Sequence, residues 1–212
     1  MREELLDVYN KLYEEYGSQN WWPGDGLEIA IGAILTQQTN WKNVEKALLQ
    51  LKNAHCLNIE CLQKISIEEL EELIKSSGFY RIKARRLKNL IELLSINPQP
   101  DRETLLSING LGDETADSII LYLFEKKYFV IDSYTFRIMN RLGLYDGKNY
   151  LELQRIFMDN LPSKLQLYQE YHALIVKHAK SHCIKSNPQC VNCVLNKRCK
   201  YNIEKNSKSM ER

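Results

Sequence analysis

Long apolar runs are missing from this 212-residue chain, and that removes a membrane-spanning helix from the reading. The first residues, MREELLDVYNKLYEEYG, form an amphipathic charged pattern without the apolar stretch of a secretory signal. A cytoplasmic, nucleoid-associated protein is therefore expected. Strand-like alternation of apolar and polar residues is also missing, as are internal repeats and low-complexity linkers. Net charge is scarce, with 29 Lys and Arg against 27 Asp and Glu. So small a total neither announces nor excludes a polyanionic partner, and its distribution matters more.

What is present is helical periodicity over nearly the whole chain, with 44% apolar residues to build a core. Helices are expected over 3–16, 26–37, 41–53, 66–76, about 82–94 and about 164–178. Two more flank the loop Asn109-Gly110-Leu111-Gly112, and another begins near Asp132. The final segment reads as irregular. The fold class is all-α.

Charge is unevenly spread. Residues 68–72 are acidic, whereas Arg81, Lys83, Arg85, Arg86 and Lys88 lie together without an acid, and the stretch from Lys177 onward is again mostly basic. Such patches suit phosphates, and they equally suit a solvated helix face.

Six cysteines in a chain read as cytosolic need an explanation other than structural disulfides. Cys183, Cys190, Cys193 and Cys199 give C-x6-C-x2-C-x5-C among polar neighbours. Four thiolates so close in sequence are ligands for either zinc or an iron–sulfur cluster. Zinc sites more often pair two short C-x2-C knuckles, and only one occurs here. Cys56 and Cys61 read as ordinary thiols.

Residues 105–120, LLSINGLGDETADSII, read as two helices joined by a tight hairpin at Gly110-Leu111-Gly112, whose exposed amides can hold a phosphate without reading sequence. A plain glycine-capped helix connection has the same pattern. After the second helix, Val130-Ile131-Asp132 places an aspartate where a new helix opens, a position that also suits an ordinary N-cap.

Hairpin, V-x-D and C-x6-C-x2-C-x5-C in this order resemble the endonuclease III branch of the helix-hairpin-helix (HhH-GPD) DNA glycosylases, from about residue 20 to residue 200. The resemblance implies a two-lobed fold. One lobe would be a bundle over 20–130 with the helix-hairpin-helix at about 105–122. The other would combine 1–19 with 131–212 and carry a [4Fe-4S] cluster loop at 183–199. It implies damaged double-stranded DNA as partner, a monomeric enzyme, Asp132 as the catalytic carboxylate, and Gln38 as the side chain that plugs the base stack. Phosphate contacts would come from Gly110, Leu111 and Gly112, with Arg81, Lys83, Arg85 and Lys185 as further candidates.

Bifunctional members of the family carry a lysine two residues after the second hairpin glycine, and here that residue is Glu114. A carboxylate cannot form the imine that precedes strand cleavage, so a monofunctional glycosylase without AP-lyase activity is expected. Glu114, the hairpin GLGDETAD and Trp21-Trp22-Pro23 resemble the 3-methyladenine glycosylase III subgroup, whose best-known form lacks the cluster. By that resemblance Trp22 and Trp41, with Trp21 nearby and Glu114 beside them, line the base pocket. Two indole faces attract a flat cationic purine, and the same tryptophans could be packing residues. Other readings are a glycosylase for oxidised pyrimidines, uracil or mispaired bases, and a DNA-binding module without catalysis.

Overall fold

The computed structural model describes residues 1–21, 24 and 26–210, of which 206 and 208–210 are described by backbone alone. Among the described residues all regular structure is helical, and no helix is long and apolar enough to cross a membrane. The chain divides into two compact units, Met1–Trp21 with Lys127–Arg212, and Trp22–Lys126.

The unit formed by Trp22–Lys126 contains α2 (Leu27–Leu35), α3 (Trp41–Asn53), α4 (Ile59–Lys64), α5 (Ile67–Leu73), α6 (Tyr80–Ile96), α7 (Arg102–Leu106) and α8 (Asp113–Ser118). Its centre is α2, buried from Ile29 to Leu35, as its apolar sequence demands. Around it pack α3, through Val44, Ala47, Leu48 and Leu51, and α6, through Ala84, Leu87, Leu90, Ile91 and Leu94. These sets follow helical spacing, and each fully buried Leu or Ile contributes about 1.5–3 kcal/mol. Helix starts are set by side chains. Asn40, Asn58 and Asp101 accept backbone N–H bonds from α3, α4 and α7, and Ser66 with Glu69 closes a reciprocal cap on α5. After Ser118 the helix widens into a π turn, Ile119–Leu123.

One expectation is overturned here. Cys56 and Cys61 are joined by a disulfide, with Cα atoms 5.1 Å apart. Cys56 donates its amide to Leu51, His55 turns in the left-handed region, and the Asn58 cap starts α4 so that Cys61 faces back to Cys56. The short α4 has only one turn and a half, too little for periodicity to reveal.

The other unit joins α1 (Arg2–Tyr16) to α9 (Ser133–Leu142), α10 (Tyr150–Asn160), α11 (Leu165–Ser181) and α12 (Lys200–Met210). Leu5, Val8 and Leu12 of α1 face α11, whose Tyr171 hydroxyl donates to the Leu5 carbonyl at 2.8 Å. Phe129 stacks on Phe157 with ring centroids 4.1 Å apart, and Tyr171 meets both edge-on. The expectation of an irregular ending is corrected by α12, which forms from a stretch free of Gly and Pro once the cysteine loop is past.

Candidate active site and nucleic-acid interface

The segment before Asp132 is extended and buried. Gln154 donates to the Phe129 carbonyl at 2.7 Å, and the Ile131 amide donates to the Tyr150 hydroxyl at 3.3 Å, so α10 supplies partners to two of its backbone groups. Asp132 then caps α9. Its Oδ1 accepts from the Thr135 amide at 2.7 Å and from the Thr135 hydroxyl at 2.8 Å. Its Oδ2 lies 3.5 Å from Nε2 of His172 on α11. Only 7% of the residue is exposed. Burial pushes the carboxyl pKa up, but the hydrogen bond and charge of His172 and the bonds from Thr135 outweigh it, leaving the group below the usual 3.8. The positive end of α9 acts in the same direction. One oxygen therefore serves as the cap while the other carries charge toward His172. Cap and candidate catalyst are the same residue.

The hairpin lies in the unit of Trp22–Lys126. Gly110 has φ +90°, and a Cβ there would overlap the Arg86 guanidinium. Leu111 is corrected from DNA contact to structural residue: its side chain is buried and its amide donates to Ile108 at 3.0 Å. Gly112 is exposed as the N-cap of α8. Arg102 bridges α7 to α8, donating Nε to Asp117 at 2.7 Å and Nη2 to Asp113 at 2.5 Å, with Asp117 fully buried. Glu114 is exposed in the first turn of α8.

The basic run on α6 is mostly structural. Lys83 is 1% exposed, and its ammonium donates to the carbonyls of Leu35 at 2.8 Å and Ser77 at 2.7 Å. Burial, with Arg86 nearby, lowers its pKa to about 8. It is therefore withdrawn from the phosphate candidates. Lys88 likewise caps the carbonyls of Leu62 and Gln63. Arg81 and Arg85, four residues apart, remain exposed, as do Gln38 and Lys185. The Lys185 carbonyl accepts from Arg141.

The tryptophans are divided between the units. Trp21 belongs to the unit of Asp132 and carries the Lys180 ammonium 6.0 Å over its ring. Trp41 opens α3 in the other, half-buried. Trp22 lies outside the described residues.

Cys183, Cys190, Cys193 and Cys199 are free and half-buried. Arg141 donates to the Cys183 sulfur at 3.2 Å, and Nε2 of His178 lies 3.5 Å from that of Cys193. Burial pushes the Cys193 thiol up to about 11, and the other three sulfurs add to the rise. Among the described residues no three His, Cys, Asp or Glu side chains form a metal-ion site.

The sequence pattern of the HhH-GPD superfamily, base excision DNA repair proteins, matches residues 31–163, which span the hairpin and Asp132. The chain belongs to this superfamily, as a DNA glycosylase. A Methanocaldococcus jannaschii protein provisionally named a DNA repair glycosylase is 43% identical, covering 93% of this chain and 96% of its own. Endonuclease III of Thermotoga maritima is 30% identical, covering 84% of each. Among solved structures, Helicobacter pylori 3-methyladenine DNA glycosylase bound to 1,N6-ethenoadenine superposes with a TM-score of 0.78 at 28% identity, covering 85% of this chain and 99% of that one. An endonuclease III–DNA complex superposes with a TM-score of 0.87 at 22% identity, covering 98% and 99%.

The HhH-GPD match stops before His172, so the partner of Asp132 comes from outside it. His172 was missed as a candidate because a lone histidine in an apolar helix, YHALIV, gives no local signal. Gln37 and Arg86 were missed because their roles depend on the hairpin meeting them in space. The interior position of Lys83 did have a signal, since Lys83, Leu87, Leu90 and Leu94 share one face of α6.

Proposed function

We propose that this HhH-GPD protein is a monofunctional glycosylase that hydrolyses the N-glycosidic bond of alkylated purines such as 3-methyladenine in double-stranded DNA. The observation that carries the reading is the buried Asp132, its carboxylate facing His172, in a chain with Glu114 at the position of the lyase lysine. With the target base flipped from the stack, Asp132 stabilises the oxocarbenium-like sugar and orients or deprotonates the attacking water. An N-alkylated purine already carries positive charge and leaves without strong acid help, which suits a site with one carboxylate. Tryptophan faces suit such a cation, and the sequence resemblance assigns that part to Trp22 and Trp41, with Trp21. Likeness to a 3-methyladenine glycosylase bound to an ethenoadenine supports this choice.

On the DNA side, the amides of Gly110 and Gly112 take the backbone phosphates, assisted by Arg81, Arg85 and Lys185, while Gln38 fills the gap left by the base. Cys183, Cys190, Cys193 and Cys199 would hold a [4Fe-4S] cluster. Their chemistry fits it, as four half-buried thiols free of disulfides, three of them close enough to Cys193 to add to the rise of its pKa. When bound, the cluster supplies iron–thiolate bonds that tie the loop together. A second reading, removal of oxidised pyrimidines, uracil or mispaired bases, is favoured by the relatives named endonuclease III and opposed, for the lyase chemistry, by Glu114.

The test is to incubate the protein with methylated duplex DNA and identify the free bases. Release of 3-methyladenine or 7-methylguanine without strand breaks is expected. The Asp132→Asn variant should lose about 10²–10⁴-fold in rate while keeping its DNA affinity. DNA binding with no base release would discard the alkylpurine substrate, and release from oxidised or mispaired substrates would select the second reading.

A further inference from the structure

Two neighbouring glutamines in the turn after α2 do opposite things. Gln38 is exposed and holds φ +53°, a left-handed conformation that a side-chain-bearing residue keeps only when its surroundings impose it. Gln37 reaches to the hairpin. Its Nε2 donates to the Gly110 carbonyl at 3.2 Å and to the Thr115 hydroxyl at 2.9 Å, and its Oε1 accepts from Nη1 of Arg86. The orientation of this amide is forced by its partners. A guanidinium can only donate and a carbonyl can only accept, so reversing the amide would break both bonds.

Arg86 completes the joint. Its guanidinium occupies the space beside Gly110 that a Cβ would take, so the hairpin backbone rests on it. Three residues earlier on α6, Lys83 holds the last carbonyl of α2, Leu35, immediately before the turn. The turn is thus held from below by Lys83 and from the hairpin side by Gln37.

We propose that Gln37 is a positioning residue that anchors the Gln38 turn to the helix-hairpin-helix, so that the element gripping DNA phosphate also holds the stack-filling side chain in its inserting conformation. The inference deepens the reading of Gln38 as plug and of the hairpin as phosphate contact, and rests on it. Without the Gln37 bonds, the left-handed conformation of Gln38 loses its support and the side chain relaxes away from the insertion path. The hairpin amides remain, so affinity for undamaged DNA is spared.

The experiment uses the full-length protein and a duplex with 2-aminopurine beside the lesion, whose fluorescence rises when bases unstack. Gln38→Ala, Gln37→Met, Gln37→Glu and the Gln37→Met/Gln38→Ala double variant are compared, with thermal midpoints to confirm folding. Gln37→Met is expected to lower the unstacking equilibrium by about tenfold, the size of coupling within one hydrogen-bond network. Adding Gln38→Ala to it should change nothing further, and undamaged-duplex affinity should hold within about threefold. Gln37→Glu keeps a partner for Arg86 but turns an oxygen toward the Gly110 carbonyl, so it should fail like Gln37→Met. Wild-type unstacking in Gln37→Glu, or additive losses in the double variant, would overturn the proposal. If Gln38→Ala itself leaves the fluorescence unchanged, the plug reading falls and this inference with it. If Gln38→Ala abolishes the signal while both Gln37 variants retain it, only the inference falls.

Discussion

At the scale of single residues, Asp132 combines two roles that usually occur apart. Its Oδ1 is committed to Thr135 as a helix cap, and its Oδ2 is turned to His172. Burial alone would favour the neutral acid, and the hydrogen bonds reverse the direction. Because the folded pKa lies below the unfolded value, the carboxylate's contribution to stability is present above about pH 4 and is lost as pH falls through the depressed value. The acid side of the base-release profile should therefore stay flat down to below about pH 4. His172→Ala leaves the burial and removes the largest bond lowering the pKa, so its acid limb should move upward, with slower release at mildly acidic pH. Single-turnover rates across pH, read beside DNA affinity, check this. A limb that does not move would separate His172 from the carboxylate.

At the scale of elements, the hairpin is short, and α7 and α8 cannot hold it by their own helix propensity. Arg102 supplies the missing constraint by forking onto Asp117 and Asp113. Asp117 is fully buried, and truncating its partner leaves an anion with its main counter-charge gone. Arg102→Met should cost about 3–5 kcal/mol of stability, the usual penalty for breaking a buried pair from one side. Denaturant unfolding would measure it, and a loss near zero would mean that the apolar contacts of α7 and α8 suffice. On α6 the same logic sorts the basic run: Lys83, Arg86 and Lys88 hold neighbouring carbonyl groups, while Arg81 and Arg85 stay exposed, Arg81 with Glu71 3.8 Å away.

At the scale of the whole molecule, the cysteine loop joins late chain to early chain within one unit. Arg137 and Arg141 of α9 donate to the carbonyls of Cys183, Ile184 and Lys185, and Arg198 pairs with Asp7 of α1. With a cluster bound, the loop would be closed by iron–thiolate bonds as well. Protein purified without oxygen should contain iron and acid-labile sulfide in the proportion of a [4Fe-4S] cluster. Cys193→Ser should lower both and expose 183–199 to protease. Zinc in place of iron, with no sulfide, would reverse the cofactor assignment.

Several features are matters of composition and short-range spacing, and these the sequence determined by itself. The all-helical character follows from apolar periodicity, as in Leu5, Val8 and Leu12. The cap at Asp132 follows from an aspartate between an apolar run and a polar helix start. The thiol set follows from C-x6-C-x2-C-x5-C. Other features require residues far apart to meet, and local pattern carries no record of that. Only tertiary packing brought His172 to Asp132, forty residues on, joined Gln37 to Gly110, and buried the Lys83 ammonium and the Leu111 side chain. The physical reason is that a helix fixes which residues share a face, while the element packed against that face decides whether a polar group there is a ligand, a cap or a surface charge.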